Sequence, residues 1–476
     1  MQLYRWLVEA AKVRGSAKAL VYRDTYLSWR GLQHRVERRA QEFASMGISS
    51  GHWVGLMLGN VPDFATLALA ISKLGATVVP LDPTTGMRDL ALIMDAAPLR
   101  ALITRPRGGV DTSVPVEEVT QRRTGRQPET PEARRRLQGT LLTCSVYKRA
   151  KDEAPSGAAV VLFTSDSTGD PKGVLRTSEN LVAGAANLKS TLDVTPEDRI
   201  LTTAPLYHAY GFDLGLCLAL CHGATLYLED EVAPKRIVKI LRDQEIDLLP
   251  AAPALYAGLA KLPTAKPLKI KRARYLAAGS PLSPAVAEAF RARWGIRPMA
   301  MYHTTETQSV AIDRKGLAPD SVGKAVDGVE ARTDREGVIW VRSAAVAAGS
   351  VTVGLLRRPT GDRVPVGGVD KDGWFRTGDL GKIDKSGKIF LAGREDNLVK
   401  VDGKRVALGE VEGCLESFAK VTAAKARVIT DPLGGPMVVA KVVVNSKCGA
   451  EELIDYCARN LAPYKVPRRI EFSEAL

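Results

Sequence analysis

The run Ala158-Ala159-Val160-Val161-Leu162-Phe163 has no polar side chain, so a strand built from it has no face to give to water. Such a strand belongs inside a parallel sheet covered on both faces. It leads into Thr164-Ser165-Asp166-Ser167-Thr168-Gly169-Asp170-Pro171-Lys172-Gly173, a stretch of hydroxyls, glycines and one lysine. Loops at the carboxyl ends of parallel strands are where such sheets take ligands. Small side chains let backbone N–H groups approach phosphate oxygens, and Lys172 adds a point charge, so the segment reads as a triphosphate-binding loop. A plain solvated turn of the same composition is the alternative.

The neighbouring sequence repeats this architecture. In residues 61–75, Pro62 and Asp63 open a helix, Phe64, Leu67, Ala68, Ile71 and Leu74 mark one face, and Gly75 closes it before a strand at 76–80. Helix and strand patterns recur at 180–192 and 199–205, then at 234–244 and 246–250, as an α/β domain requires. From 322 to 391 the pattern changes to short strands with glycine turns, predicting a β-rich subdomain. A compact α+β segment follows, with helices near 409–418 and 450–461 and a strand near 437–444. A chain of 476 residues is expected to form two or three domains. The predicted division is 1–391 and 392–476, with the boundary at 392–396.

Several function classes lack support. No run of about 18 apolar residues marks a membrane span, and the first residues lack a signal peptide's apolar core, so the expectation is a cytoplasmic protein. The six cysteines show no paired metal-ligand spacing and read as reduced thiols. Cys217, Cys221 and His222 fit core packing on a helix face, with a metal site as the alternative. The formal charge of +14 suits a polyanionic ligand such as a nucleotide. Arg105, Arg122, Arg123, Arg126, Arg134, Arg135 and Arg136 read as a solvated connector, with a docking patch as the alternative. No aromatic interleaving points to nucleic acid.

Taken together, the 163–173 loop, Tyr302-His303-Thr304-Thr305-Glu306, Gly373-Trp374-Phe375-Arg376-Thr377-Gly378-Asp379-Leu380-Gly381 and Gly393-Arg394-Glu395-Asp396 resemble the adenylate-forming superfamily of acyl-CoA synthetases, amino-acid adenylation domains and firefly luciferase. The resemblance covers nearly the whole chain. It implies a large N-terminal domain of parallel-sheet α/β subdomains with a small β-barrel-like subdomain, then a small mobile α+β domain. It also implies two half-reactions: a carboxylate attacks the α-phosphate of MgATP, giving an acyl-adenylate and pyrophosphate, and a thiol of CoA or phosphopantetheine captures the acyl group. Carboxylate and triphosphate repel each other, so fixed donors and a cation must hold them in line.

On this resemblance Thr164, Ser165, Ser167, Thr168, Gly169 and Lys172 hold phosphates, Glu306 binds Mg2+ and Thr305 lies beside the α-phosphate. Tyr302, His303 and Thr304 border the nucleotide, and Gly279, Ser280 and Pro281 lie along the adenine. Asp379 accepts from the ribose hydroxyls, Arg394 contacts the nucleotide, and Asp396 is the hinge. Pro205-Leu206-Tyr207-His208-Ala209-Tyr210-Gly211 resembles the acyl-site motif of acyl-CoA and aryl-CoA ligases. Tyr207, His208, Tyr210, Phe212, Met301 and His303 would line the pocket, with His208 as a gate or as a packed core histidine. In amino-acid-activating relatives the His208 position is an aspartate. Its absence argues against an α-amino acid, and Asp213 is either a substitute countercharge or a helix-start carboxylate. Lys400, Gly403, Lys404 and Arg405 resemble the segment lining the pantetheine tunnel, with a hairpin turn as the alternative for Gly403. A carrier protein is a second acceptor expectation.

Three positions depart from the family pattern. Asp166 replaces a phosphate-loop glycine and should weaken ATP binding unless Lys172 or Mg2+ compensates. His303 replaces a glycine, favouring a short or flat acyl group. The expected Ser/Thr-Gly-Lys motif beyond Pro463-Tyr464-Lys465-Val466-Pro467-Arg468 is not reached by Leu476, predicting slow adenylation with better retained thiol transfer. The leading expectation is an acid-thiol ligase; a degenerate adenylate-binding protein or a ligase with a non-thiol acceptor are the alternatives.

Overall fold

The computed structural model describes residues 2–85, 87–105, 131–147, 157–165, 171–263, 267–316, 320–352, 369–395, 398–401, 404–431, 435–461 and 465–474. One sheet of eight strands runs in the spatial order Gly349–Thr352, Pro171–Arg176, Val160–Ser165, Thr77–Leu81, Trp53–Met57, Leu99–Thr104, Thr143–Val146, Ala133–Arg136. Its four middle strands are parallel. They are almost wholly buried, as their apolar sequences require. The helix Pro62–Lys73 covers them, with Pro62 opening it, Asp63 in its first turn and Gly75 at φ 73° after its end.

The strand read at 158–163 runs Val160–Ser165 and has only one parallel neighbour, Thr77–Leu81. On its other side Pro171–Arg176 pairs antiparallel, with Thr164 opposite Lys172. The phosphate-loop motif therefore connects the two strands of a hairpin and does not lead into a helix. At Gly173 a Cβ would lie 2.8 Å from Val351 and 2.9 Å from Phe163, so this strand fits closely between its neighbours. Residues 166–170, which include Asp166, Ser167, Thr168 and Gly169, lie outside the described residues.

A second sheet of thirteen strands joins the α/β and β-rich parts. Its strands Lys18–Tyr22, Thr225–Leu228, Arg199–Thr202, Leu248–Ala251, Arg274–Ala277 and Met299–Thr304 are mutually parallel. Met299–Thr304 then pairs antiparallel with Gln308–Ile312, and the sheet continues through Ser321–Ala325, Lys388–Arg394, Phe375–Ile383 and Val338–Arg342 to Glu330–Thr333. The β-rich part expected at 322–391 thus extends the same sheet. Parallel pairing changes to antiparallel at the strand that ends in His303 and Thr304.

The predicted arginine connector is partly a strand. Ala133–Arg136 pairs with Thr143–Val146 at the sheet edge, where exposed Arg134, Arg135 and Arg136 discourage further strand addition. Arg122, Arg123 and Arg126 lie outside the described residues. Toward the carboxyl end, the helices Leu408–Glu416 and Ala450–Asn460 cover a sheet of Val421–Asp431, Gly435–Val444 and Arg469–Phe472. Val411, Leu415, Val438, Val442, Leu453 and Cys457 form a hydrophobic core of their own there. Among the described residues no helix is long and apolar enough to cross a membrane.

Candidate active site

Lys172 and Glu306 come from different sheets, and Lys172 Nζ lies 3.3 Å from Glu306 Oε1. Glu306 sits in the tight turn between Met299–Thr304 and Gln308–Ile312. That turn is held from within by Thr304 Oγ1, which is 2.8 Å from Thr307 Oγ1 and accepts from the Thr307 N–H at 3.0 Å. From outside, the Ala347 N–H donates to the Glu306 carbonyl at 2.7 Å. Both charged side chains remain about one-fifth exposed, so a polyanion has access to them. Thr164 lies beside Lys172 across the hairpin, its Oγ1 3.4 Å from the Lys172 carbonyl, while Ser165 ends its strand.

A buried ionic cluster lies behind this turn. The Arg176 guanidinium, wholly buried, donates to Asp213 at 2.7 and 2.8 Å and to the Thr305 carbonyl at 3.0 and 2.5 Å. His303 Nε2 is 2.9 Å from Asp213 Oδ2. Burial alone would push the Asp213 carboxyl up, but Arg176 and the His303 hydrogen bond outweigh it and hold it below the ordinary aspartate range. Asp213 stands in the first turn of its helix, as the helix-start reading has it, and Arg176 occupies it, so the substrate-countercharge alternative gives way. It sits in a π-helix, Phe212–Cys217, a rare conformation that recurs at functional sites.

Within the thirteen-stranded sheet the Tyr302 hydroxyl donates to Asp379, whose other oxygen is 3.3 Å from Arg394 Nη1. Register explains the second contact, because Asp379 and Arg394 are directly opposed on antiparallel strands. Burial, and then the Asp379 carboxylate, push the Tyr302 hydroxyl well above its ordinary value, so it remains a donor. Gly279 follows the strand Arg274–Ala277 with φ 91°, and Gly279, Ser280 and Pro281 are exposed. A flat ligand can approach that strip.

The acyl-motif loop is fixed by Asn60, a residue that no motif marked. Its buried amide donates to the carbonyls of Ala204 at 3.1 Å, Glu229 at 3.2 Å and Thr202 at 3.4 Å, and accepts from the Leu206 N–H at 2.8 Å. Gly211 is required because a Cβ there would overlap the Pro205 carbonyl oxygen. The Tyr207 and His208 rings lie 4.7 Å apart, tilted by 56°, and His208 is exposed. Partial burial pulls the His208 imidazole below its ordinary value, opposed by Asp82, which also helps to raise the Tyr207 hydroxyl. The Tyr210 hydroxyl donates to the Leu276 carbonyl at 3.0 Å, and its ring meets His303 edge-on at 5.5 Å. Phe212 and Met301 belong to the hydrophobic core, Phe212 with no exposed surface and Met301 with 4%.

Other expected residues fall elsewhere. Cys217 is buried and His222 Nε2 is 3.4 Å from the Ala185 carbonyl, which is the core-packing reading. Lys400 and Arg405 are cross-strand partners in the hairpin Leu398–Val401 and Lys404–Ala407. Gly403 and Asp396 lie outside the described residues. Among the described residues no three His, Cys, Asp or Glu side chains gather to hold a metal by themselves. A single partly exposed carboxylate such as Glu306 fits a hard divalent cation that shares its ligands with substrate phosphates.

The sequence and the fold match known proteins. The model of the AMP-binding enzyme family matches residues 7–350, and that of the AMP-binding enzyme C-terminal domain matches 410–476. A 2-succinylbenzoate–CoA ligase of Bacillus licheniformis is 24% identical over 99% of this chain and 96% of its own. A feruloyl-CoA synthase of an Amycolatopsis species is 25% identical over 99% of this chain and 95% of its own. The O-succinylbenzoate coenzyme A synthetase of Bacillus subtilis in complex with AMP superposes with a TM-score of 0.80 at 22% identity, covering 99% of this chain and 95% of that one. The chain belongs to the AMP-binding enzyme family, as an AMP-forming acid-thiol ligase that activates a carboxylic acid as its acyl-adenylate and passes it to a thiol.

Proposed function

We propose that the chain activates an aryl or other flat carboxylic acid with ATP and transfers it to CoA. The observation that carries the site assignment is the approach of Lys172 to Glu306 at 3.3 Å from two separate sheets. Lys172 draws in the triphosphate, and the Thr305-Glu306 turn faces the reacting α-phosphate. Glu306 would hold Mg2+, which when bound neutralises phosphate charge. Asp379, oriented by Tyr302 and Arg394, receives the ribose, and the 279–281 strip receives the adenine. With the acid in the pocket, its carboxylate oxygen attacks the α-phosphorus and pyrophosphate leaves; the thiol then attacks the acyl carbon and AMP leaves. Catalysis is positional and electrostatic, with no covalent enzyme intermediate.

Two features support a flat acid. The Tyr207 and His208 rings form one tilted pair and the Tyr210 and His303 rings one edge-on pair, and His303 fills space at the junction of the acyl and nucleotide sides. The names of the 2-succinylbenzoate and feruloyl relatives fit it, while others of like identity are named for sulfoacetate and a long-chain fatty acid, so a flat acid is the narrower proposal. Lys400, Gly403, Lys404 and Arg405 line the thiol's approach in this reading, 392–476 is the moving domain, and Asp396 is its hinge. The test is pyrophosphate release with MgATP across aryl and aliphatic acids, followed by CoA thioester detection. Acid-dependent release that Glu306→Ala abolishes is expected; release insensitive to Glu306→Ala, or none with any acid, overturns the reading.

A further inference from the structure

Lys172 and Arg176 stand four residues apart on one strand, so they share a face of it. Lys172 reaches Glu306, and Arg176 reaches the preceding carbonyl, Thr305, through Nε at 3.0 Å and Nη2 at 2.5 Å. The same guanidinium holds Asp213 in the π-helix that follows the acyl-motif loop, and Asp213 holds His303. One buried cation therefore joins the phosphate-side strand, the Thr305-Glu306 turn and the acyl side of the site. A buried ion pair is weak evidence of stabilisation, since apolar residues of similar volume often serve a core equally well. Its geometry is the more informative property.

We propose that Arg176 and Asp213 are positioning residues for adenylation, locking the acyl-side π-helix to the Thr305-Glu306 turn so that acid and nucleotide meet in line. The proposal rests on the acid-activating reading above. Two separate reactants must be aligned in the first half-reaction, whereas the second starts from an acyl-adenylate already joined. The planar fork of Arg176 is what spans Asp213 and Thr305 together; a lysine in its place offers one point donor on a flexible stem.

Single variants such as Asp213→Asn strand a buried charge, so the decisive variant is Arg176→Met with Asp213→Leu in the full chain. Three quantities are read: thermal unfolding, pyrophosphate release with MgATP and the preferred acid, and thioester formation from synthetic acyl-adenylate and CoA. The double variant should unfold near the temperature of the unsubstituted chain, lose about 100-fold in the first half-reaction, and keep the second within about threefold. Equal losses in both half-reactions, an unchanged first half-reaction, or a double variant that cannot fold would each overturn the proposal. Failure of the unsubstituted chain to release pyrophosphate with any acid is a different result, and removes the functional reading along with it.

Discussion

Asn60→Ala tests whether one buried amide sets the shape of the acyl-motif loop. Asn60 is 5% exposed, and its Oδ1 accepts from the Leu206 N–H at 2.8 Å. Leaving that buried N–H without an acceptor costs about 1–3 kcal/mol. The two shorter donated bonds, to Ala204 at 3.1 Å and Glu229 at 3.2 Å, each contribute about 0.5–1.5 kcal/mol net. Ala204 retains a donor in Thr202 Oγ1 at 2.9 Å, so the loss on that carbonyl lies at the lower end. The expected destabilisation is about 2–5 kcal/mol. Urea unfolding followed by fluorescence of the buried Trp29, Trp53 and Trp294 measures it, and the acid's KM should rise more than that of ATP because Tyr207 and His208 follow Leu206 directly. Asn60→Asp sharpens the test. It retains the acceptor for Leu206 but sets a carboxylate against three carbonyls, so it should be less stable than Asn60→Ala. An Asn60→Asp protein as stable as the unsubstituted chain would refute the assigned direction of these hydrogen bonds.

Asp379→Asn removes the charge that Arg394 pairs with and an oxygen proposed to accept from ribose; ATP KM should rise about tenfold or more while the acid's KM changes little, measured by pyrophosphate release. Gly184→Ala would drive a methyl into the Gln308 side-chain amide, which donates to the Asn180 and Ala345 carbonyls at 2.8 and 2.9 Å, so urea unfolding should show a loss of about 2–4 kcal/mol. Burial lowers the His222 imidazole, against the opposing Ala185 carbonyl, so the unfolded chain binds more protons below pH about 6.5. His222 thus contributes stability that is complete above that pH and lost as pH falls through the lower folded value; His222→Gln should flatten the urea-measured stability between about pH 7.5 and 5.5.

The contrast between what the chain's letters disclosed and what they concealed follows from the range of each interaction. Helix Pro62–Lys73 was readable because Pro62, Asp63 and Gly75 act on their own neighbours, and strand Thr77–Leu81 because its burial requires an apolar run. The hairpin after Val160–Ser165 was not legible because apolar residues alone do not reveal whether the next neighbour is parallel or antiparallel. Tyr302, Glu306, Asp379 and Arg394 stood inside recognisable motifs, and the fold brings Tyr302 and Arg394 onto Asp379 and Lys172 onto Glu306. Asn60, Arg176 and Asp213 stood outside any motif or were read singly. A charged residue ending the apolar run Val174-Leu175 was the available sign that Arg176 had a buried partner, since an unpaired guanidinium has no place there. The identity of that partner, 37 residues away, depends on the packing of the π-helix against the strand. Motifs thus identify the groups proposed to meet the ligand, while the residues that hold those groups in place become visible only when sheets and helices are assembled around them.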